Sequence, residues 1–361
     1  MAEIRNVHQM QVAAATENSI GNEVIELQTA LRKWGYNSEI YAEEIAPSMR
    51  GQAQHFTRYR PSPRDLVILH YSTGSALTDY LRVLKVPLVL VYHNITPPDF
   101  LTGVGAGKKA RARQGLEALA SLRDQTVLVL ARSQYSRAEL VGLGFDHPQV
   151  LPVIVPDKLF RTTPDESVLA RFGSGDEWVN LLFVGRVVPN KRQEDLIKSL
   201  YFYRQINAQS RLFVVGSWSN TRRYADWLRQ FAHRMGLSDV VHLCGHVSMA
   251  ELAAYYRLAD VFVCMSEHEG FGIPLVEAMR FGVPIVAYAS TAVPETMGDA
   301  GILVRRKRFA VVAELIHLLQ VDATLRQHIV DRQRERARAF ASQVVIAAFR
   351  HLLEQVIGRV R

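Results

Sequence analysis

The stretch Asp260-Val261-Phe262-Val263-Cys264-Met265-Ser266-Glu267-His268-Glu269-Gly270-Phe271-Gly272-Ile273-Pro274-Leu275-Val276-Glu277-Ala278-Met279 decides the fold. Its opening is a short apolar run, the pattern of a buried strand. Glycines follow, then a proline that suits the first position of a helix, where its missing N–H costs nothing. Strand, glycine turn and helix start together make a site whose backbone N–H groups can hold an anion. Gly270 and Gly272 let backbone approach a ligand closely. Glu277 falls in the first turn of that helix, where a carboxylate also suits the dipole. Glu269 and Glu277 can each accept bonds from adjacent hydroxyls. Phosphate beside hydroxyls points to a sugar nucleotide. Read in isolation, the same residues would be a capped core helix with solvent-facing glutamates.

Outward from this stretch the chain repeats one rhythm. Apolar strands are expected at Asp65–Leu69, Pro87–Tyr92 and Thr126–Leu130, with helices over 22–34, 76–84 and 107–122. A second series begins at Val179–Val184 and continues through Arg211–Val215, Val240–Leu243, 260–263 and Val283–Ala287, with helices over 192–205, 221–235 and 249–257. Apolar strands joined by helices argue for parallel sheets covered on both faces. The expected fold is therefore α/β, with two Rossmann-like doubly wound domains. The first spans 1–155. A linker covers 156–178, and the second domain 179–342. A last helix, about 343–361, is expected to return to the first domain. In such sheets ligands bind outside the carboxyl ends of the strands. His93, Gly185, Gly216, Gly245 and Ser266 all fall at such ends.

Composition narrows the class. The chain has 361 residues, of which 48% are hydrophobic, too apolar for a disordered chain. No apolar run approaches the ~20 residues of a membrane span. Met1 to Ile20 lacks a basic segment followed by an apolar core, so no secretory signal is expected. Cys244 and Cys264, the only cysteines, read as free thiols in a reducing compartment. The net charge of +8 comes largely from Arg305-Arg306-Lys307-Arg308, from Arg332, Arg334, Arg336 and Arg338, and from Lys108, Lys109, Arg111 and Arg113. Solvated faces explain these groups. Attraction to an anionic membrane is the sharper alternative. Nucleic acid is not an expected partner, because no zinc-finger spacing or aromatic–basic RNA motif occurs.

The second constellation is Gly185-Arg186-Val187-Val188-Pro189-Asn190-Lys191. Two cations after a strand can neutralise a diphosphate and the charge growing on a leaving group. Alone it would be an ordinary basic loop. No Asp-x-Asp pair is present to hold a metal–diphosphate complex, so these cations are expected to act without a metal. Gly103-Val104-Gly105-Ala106-Gly107-Lys108-Lys109 lacks both the third glycine of the dinucleotide fingerprint and the hydroxyl residue of the triphosphatase loop.

Gly185-Arg186 with Lys191, followed by Glu269-Gly270-Phe271-Gly272-Ile273-Pro274-Leu275-Val276-Glu277, resembles the retaining family-4 glycosyltransferases of the GT-B fold. Further matching segments are Gly245-His246-Val247-Ser248 with Glu251-Leu252, and Val293-Pro294-Glu295 leading to Gly301-Ile302-Leu303-Val304. The resemblance is strong over about 179–320 and weaker over the N-terminal half. It implies that the two domains face a central cleft, with the donor held mainly by the second. It gives Arg186 and Lys191 the donor diphosphate. Glu269 with the amides near Gly270, Phe271 and Gly272 takes the donor sugar and phosphate, and Glu277 the ribose. Gly185 and Gly216 are expected to line the donor, and the loop with His246 and Val247 to lie near the base. In the first domain it implies a glycine loop near the phosphates. The candidate, Asn18-Ser19-Ile20-Gly21-Asn22, departs from the paired-glycine form; Ser19 and Gly21 are its expected contacts. It implies a histidine near the donor sugar, which His93 matches. His70, Tyr71 and Ser72, at a similar strand end, are expected on the acceptor side.

The expected enzyme is a retaining, metal-independent glycosyltransferase. It would move a hexose from a nucleotide-sugar co-substrate to a glycan or lipid-linked acceptor hydroxyl, without a cofactor. Glycan, polysaccharide or glycolipid biosynthesis in the cytoplasm follows, with peripheral contact at the inner membrane face among the expected interactions. The alternatives are a non-catalytic sugar-nucleotide-binding subunit and an epimerase on the same fold.

Overall fold

The computed structural model describes residues 3–16, 19–101, 106–173, 177–219 and 221–360. The chain divides into two units, Met1–Pro156 with Phe340–Arg361, and Asp157–Ala339.

The first unit is built on a seven-stranded parallel sheet. Its strands are β1 (Asn6–Ala14), β2 (Ile40–Ile45), β3 (Ala53–His55), β4 (Asp65–Tyr71), β5 (Leu88–Tyr92), β6 (Thr126–Ala131) and β7 (Gln149–Val150), in the order β3-β2-β1-β4-β5-β6-β7. β4 and β5 are buried at every position, as expected of strands with helices on both faces. The strand order reverses between β1 and β4, which pair from Asn6↔Asp65 to Gln11↔His70. The last helix, Ser342–Val360, belongs to this unit. Its Val345, Phe349, Leu353, Val356 and Ile357 join Leu27, Leu31, Ile68, Val89 and Leu130 in one apolar cluster. Burying each of those side chains is worth about 1.5–3 kcal/mol.

β1 does not follow the apolar rule. Its sequence carries His8, Gln9 and Gln11, and all three are buried. Gln9 offsets its burial by donating to Val24 O at 2.8 Å and meeting His70 Nε2 at 3.0 Å.

The second unit holds a six-stranded parallel sheet. Its strands are β8 (Val179–Val184), β9 (Ser210–Val215), β10 (Val241–Gly245), β11 (Val261–Cys264), β12 (Ile285–Tyr288) and β13 (Ile302–Val304), in the order β10-β9-β8-β11-β12-β13. Here the order reverses between β8 and β11. Residues of the stretch read as a linker form helices Lys158–Arg161 and Glu166–Gly173. Leu159, Val168 and Phe172 bury themselves in the second unit's core, with Phe172 against Phe213 at 4.9 Å. Apolar side chains spaced through a polar stretch make this segment part of the domain.

Among the described residues, no helix is long and apolar enough to cross a membrane. The cysteines are free thiols, and burial pushes Cys264 up to about 11. Much of the basic surface is spent locally. Lys307 reaches Asp195 at 2.8 Å and Glu267 at 2.9 Å, and Arg336 donates to Glu295 O at 2.6 Å.

Candidate active site in the second unit

The two constellations singled out in the sequence meet at the reversal between β8 and β11. β8 delivers Gly185 and the loop through Lys191; β11 delivers Ser266 to Gly272. Lys191 Nζ lies 2.5 Å from Glu269 Oε2 and donates to His268 O at 3.3 Å. Asn190 Nδ2 donates to the same carbonyl at 3.2 Å, and Glu267 N donates back to Asn190 O at 2.9 Å. The loops are thus stitched through backbone and side chain. His268 is buried between them, and burial with the nearby Lys191 charge pushes its imidazole down to about 4. Arg186, by contrast, is exposed, and among the described residues its guanidinium has no ion pair.

Glycines set this geometry. Gly216 has φ +150°, and a Cβ there would stand 2.0 Å from Gly185 O. The β8 and β9 ends can close on each other only without that side chain. Gly185 N donates to Val215 O, Gly216 N to Gly245 O and Val187 N to Ser217 O, at 2.8–3.0 Å. These bonds hold the three strand ends level. Gly245 closes on the ring of Trp218, and the next residue, His246, is exposed while Val247 is half-buried.

The helix Ile273–Phe281 starts at Gly272, whose φ is +93°, with proline in its first turn. Threonines hold its approach. Thr291 Oγ1 accepts from Glu269 N at 2.8 Å and donates to Glu269 O at 2.9 Å. Thr296 Oγ1 donates to Phe271 O at 2.6 Å. Glu277 is fixed by Tyr256, whose buried hydroxyl donates to Glu277 Oε2 at 2.7 Å. Burial raises the Glu277 carboxyl above its ordinary value, against the lowering effect of that bond. Beside the site, Glu267 also takes Arg192 at 3.0 Å. Burial works to raise the neighbouring Asp195, but bonds from Lys307 and Lys198 outweigh it and hold the carboxyl low.

Chemically, this constellation offers a dehydrated lysine, an exposed arginine, a helix N-terminus and the Glu269 carboxylate within one loop system, with the fixed carboxylate of Glu277 on the helix that follows. That set suits a ligand with phosphate at one part and hydroxyls at another. Tyr256, Thr291, Thr296 and Asn190 escaped the sequence reading as functional residues. Only Asn190 lay inside a quoted motif.

The first unit gathers its own cluster at the ends of β4, β5 and β6. His70 is buried, and its Nδ1 lies 3.1 Å from His93 Nε2. Arg132, wholly buried, pairs with Glu23 of helix Ser19–Lys33. It also donates to Leu151 O and Pro152 O at 3.3 and 3.2 Å. Glu23 Oε1 accepts from Ile154 N at 3.2 Å, and Glu23 Oε2 lies 3.8 Å from His93 Nε2. Burial, then the Arg132 charge, pushes His70 down to about 3 and lowers His93 as well. Glu23, His70 and His93 offer ligand atoms within 4.8 Å of one another. The Arg132 guanidinium already supplies the positive charge there. Tyr71 is turned into the core, where its hydroxyl donates to Gly115 O at 2.6 Å; Ser72 is half-buried. Gly21 packs so tightly on Ala15 that a Cβ would lie 1.8 Å from its carbonyl oxygen. Ser19 begins the helix, and Asn18 of the expected glycine loop lies outside the described residues, as do Gly103, Val104 and Gly105.

Residues 171–336 match the family model described as Glycosyl transferases group 1. The chain is 28% identical over 299 residues to a D-inositol 3-phosphate glycosyltransferase of Thermobifida fusca, covering 79% of this chain and 68% of the relative. It is 30% identical over 226 residues to the O-antigen chain mannosyltransferase B of Escherichia coli, covering 60% and 57%. Among solved structures, HepE of Anabaena in complex with UDP and glucose superposes with a TM-score of 0.79 at 18% identity, over 97% of this chain and 100% of that one. Sucrose-phosphate synthase of Thermosynechococcus elongatus gives 0.77 at 18%, over 98% and 100%. The two parallel-sheet α/β units have the GT-B fold, and the matched segment with its relatives supports a glycosyltransferase of group 1.

Proposed function

We propose that the protein is a retaining, metal-independent glycosyltransferase of the family-4 type, moving a hexose from a nucleotide sugar to an acceptor hydroxyl. The observation that carries this is the Lys191–Glu269 pair at the sheet reversal, with the Tyr256-held Glu277 on the following helix, where it lies past the first turn in which the sequence placed it. A donor diphosphate competes with Glu269 for the Lys191 ammonium. Its arrival leaves Glu269 to accept bonds from sugar hydroxyls, and Glu277 to accept them from the ribose. Arg186 adds charge from the open side. In the reaction the bond from the anomeric carbon to the diphosphate oxygen breaks. The acceptor oxygen bonds to that carbon on the same face, and its proton passes to the departing phosphate. Lys191 and Arg186 stabilise the charge that grows on that phosphate, the step at which fixed cations matter most. By the resemblance, His93 has the role of a donor-sugar contact. No metal is required, because the two cations do its electrostatic work.

Candidate acceptors include phosphorylated cyclitols and mannose-containing glycans, the classes named for the relatives above. The test is a panel of nucleotide sugars against these acceptors, in chelator, with the anomeric configuration of the product read by NMR. Retention with full activity in chelator is the expected result. An inverted product or dependence on added metal would refute the mechanism. Transfer by no donor, despite tight nucleotide-sugar binding, would favour the binding-subunit alternative.

A further inference from the structure

The histidine pair of the first unit sits in a chain of hydrogen bonds whose direction one carbonyl decides. Val24 O can only accept. It lies 2.8 Å from Gln9 Nε2, so the Gln9 amide must point its NH2 there and its oxygen at His70. Flipping the amide would set two oxygens against each other at that distance. Gln9 Oε1 is 3.0 Å from His70 Nε2, and an amide oxygen accepts, so His70 Nε2 carries the proton. His70 is 1% exposed and neutral, so its Nδ1 is bare. That bare Nδ1 is 3.1 Å from His93 Nε2, which must therefore be the donor. Glu23 Oε2, 3.8 Å away, favours a proton on the same nitrogen. Arg132 Nη2, 3.4 Å away, can only donate and so competes for that nitrogen as an acceptor, but its contact is longer than the 3.1 Å one from His70 and it already donates to Glu23 Oε2.

We infer that Val24 O, Gln9 and His70 form a relay that locks His93 in its Nε2–H tautomer, leaving His93 Nδ1 as a fixed hydrogen-bond acceptor. Gln9 and His70 are then positioning residues. His93 can accept a bond from a ligand hydroxyl, but it cannot act as a proton donor from Nδ1. The relay stands on the first unit alone. Its consequence for donor recognition rests on the role proposed for His93. Which ring nitrogen is protonated is set by the bond made at the other side, a general property of histidine.

The test is two-dimensional 15N spectroscopy of the full chain labelled at histidine, with His70→Gln and His93→Gln used to assign the two rings. Both are expected as Nε2–H tautomers at pH 7, unchanged down to pH 5. A protonated Nδ1 on His93, a mixed tautomer, a doubly protonated ring at pH 6, or loss of the pattern on adding zinc would each overturn the relay. Gln9→Met removes both amide bonds, and is expected to leave His93 a mixture. Gln9→Glu keeps an acceptor toward His70 but sets a carboxylate oxygen against Val24 O, the contact the amide avoids, and is expected not to restore the wild-type pattern. Donor kcat/KM should fall about 3- to 10-fold in Gln9→Met, the worth of one net hydrogen bond. The wild-type spectrum decides the relay even where Gln9→Met fails to fold. The predicted spectrum in a protein that transfers from no donor would uphold the relay and refute the transferase reading.

Discussion

Lys191 Nζ stands 2.5 Å from Glu269 Oε2, with each side chain only 12–15% exposed. The residues are 78 positions apart, and β8 and β11 bring them together only because those strands are neighbours at the reversal of the sheet. A half-dehydrated ion pair of this kind is costly to break without a replacement partner. A phosphate for the lysine and hydroxyls for the glutamate are such replacements. Glu269→Gln should therefore keep the fold and nucleoside-diphosphate binding but weaken hold on the sugar. The expected outcome is an unchanged Kd for the diphosphate and a donor-sugar kcat/KM lower by roughly 10-fold or more, the loss expected when a buried charged acceptor is removed. Calorimetry with each ligand checks it.

Tyr256→Phe removes the hydroxyl that donates to Glu277 at 2.7 Å. The ring stacks on Phe281 at 4.8 Å and stays buried, so the fold should survive. Burial already raises the Glu277 carboxyl, and losing this bond raises it further. Nucleotide binding that needs the carboxylate should weaken about 5-fold at neutral pH, and its fall on acidification should begin at higher pH. Titration of binding against pH, in both forms, reads the shift.

Gly216→Ala places a methyl 2.0 Å from Gly185 O, at a φ of +150°. Both partners are backbone, so relief requires the β8 and β9 ends to part. A cost of about 2 kcal/mol or more is expected in urea unfolding of the second unit's transition. The loop carrying Arg186 and Lys191 should lose register, so nucleotide binding should fall along with stability.

A pH effect should come from Glu139, in helix Gln134–Gly142, which accepts from Asn94 Nδ2. Burial raises its carboxyl from 4.5 to about 7, against bonds from Tyr135 and Asn94. Raised in the folded state, it contributes stability that is full below pH 4.5 and lost as pH rises through about 7. Glu139→Gln keeps an acceptor for Asn94 and cannot ionise. The variant should gain on wild type as pH rises from 5 to 8, measured by denaturant midpoints at each pH.

The half of the second unit's site that follows β11 was legible because its residues are contiguous. Strand, glycines, proline and both glutamates lie within twenty residues, and the strand, glycines and proline obey local rules, whereas Glu277 falls past the first turn of its helix. Its supporting residues were not, because Tyr256, Thr291 and Thr296 act through tertiary contacts that leave no local spacing. The apolar strands β4, β5, β8 and β11 announced themselves. β1 did not, since its Gln9 and His8 are buried by hydrogen bonding, and periodicity cannot see that. The same blindness hid Glu23 and Arg132, a buried pair joined across 109 positions.

The central claim is that Lys191 stabilises a departing nucleoside diphosphate. A thermal-shift screen first identifies the nucleotide, since a ligand at 100 times its Kd stabilises by about 2.7 kcal/mol. Release of that nucleoside diphosphate from its sugar is then followed in wild type and in Lys191→Ala, with circular dichroism confirming the fold. The account predicts turnover lower by roughly 100-fold or more in the variant, the scale of losing one fixed charge-stabilising donor. Near-normal turnover in a folded Lys191→Ala would contradict it.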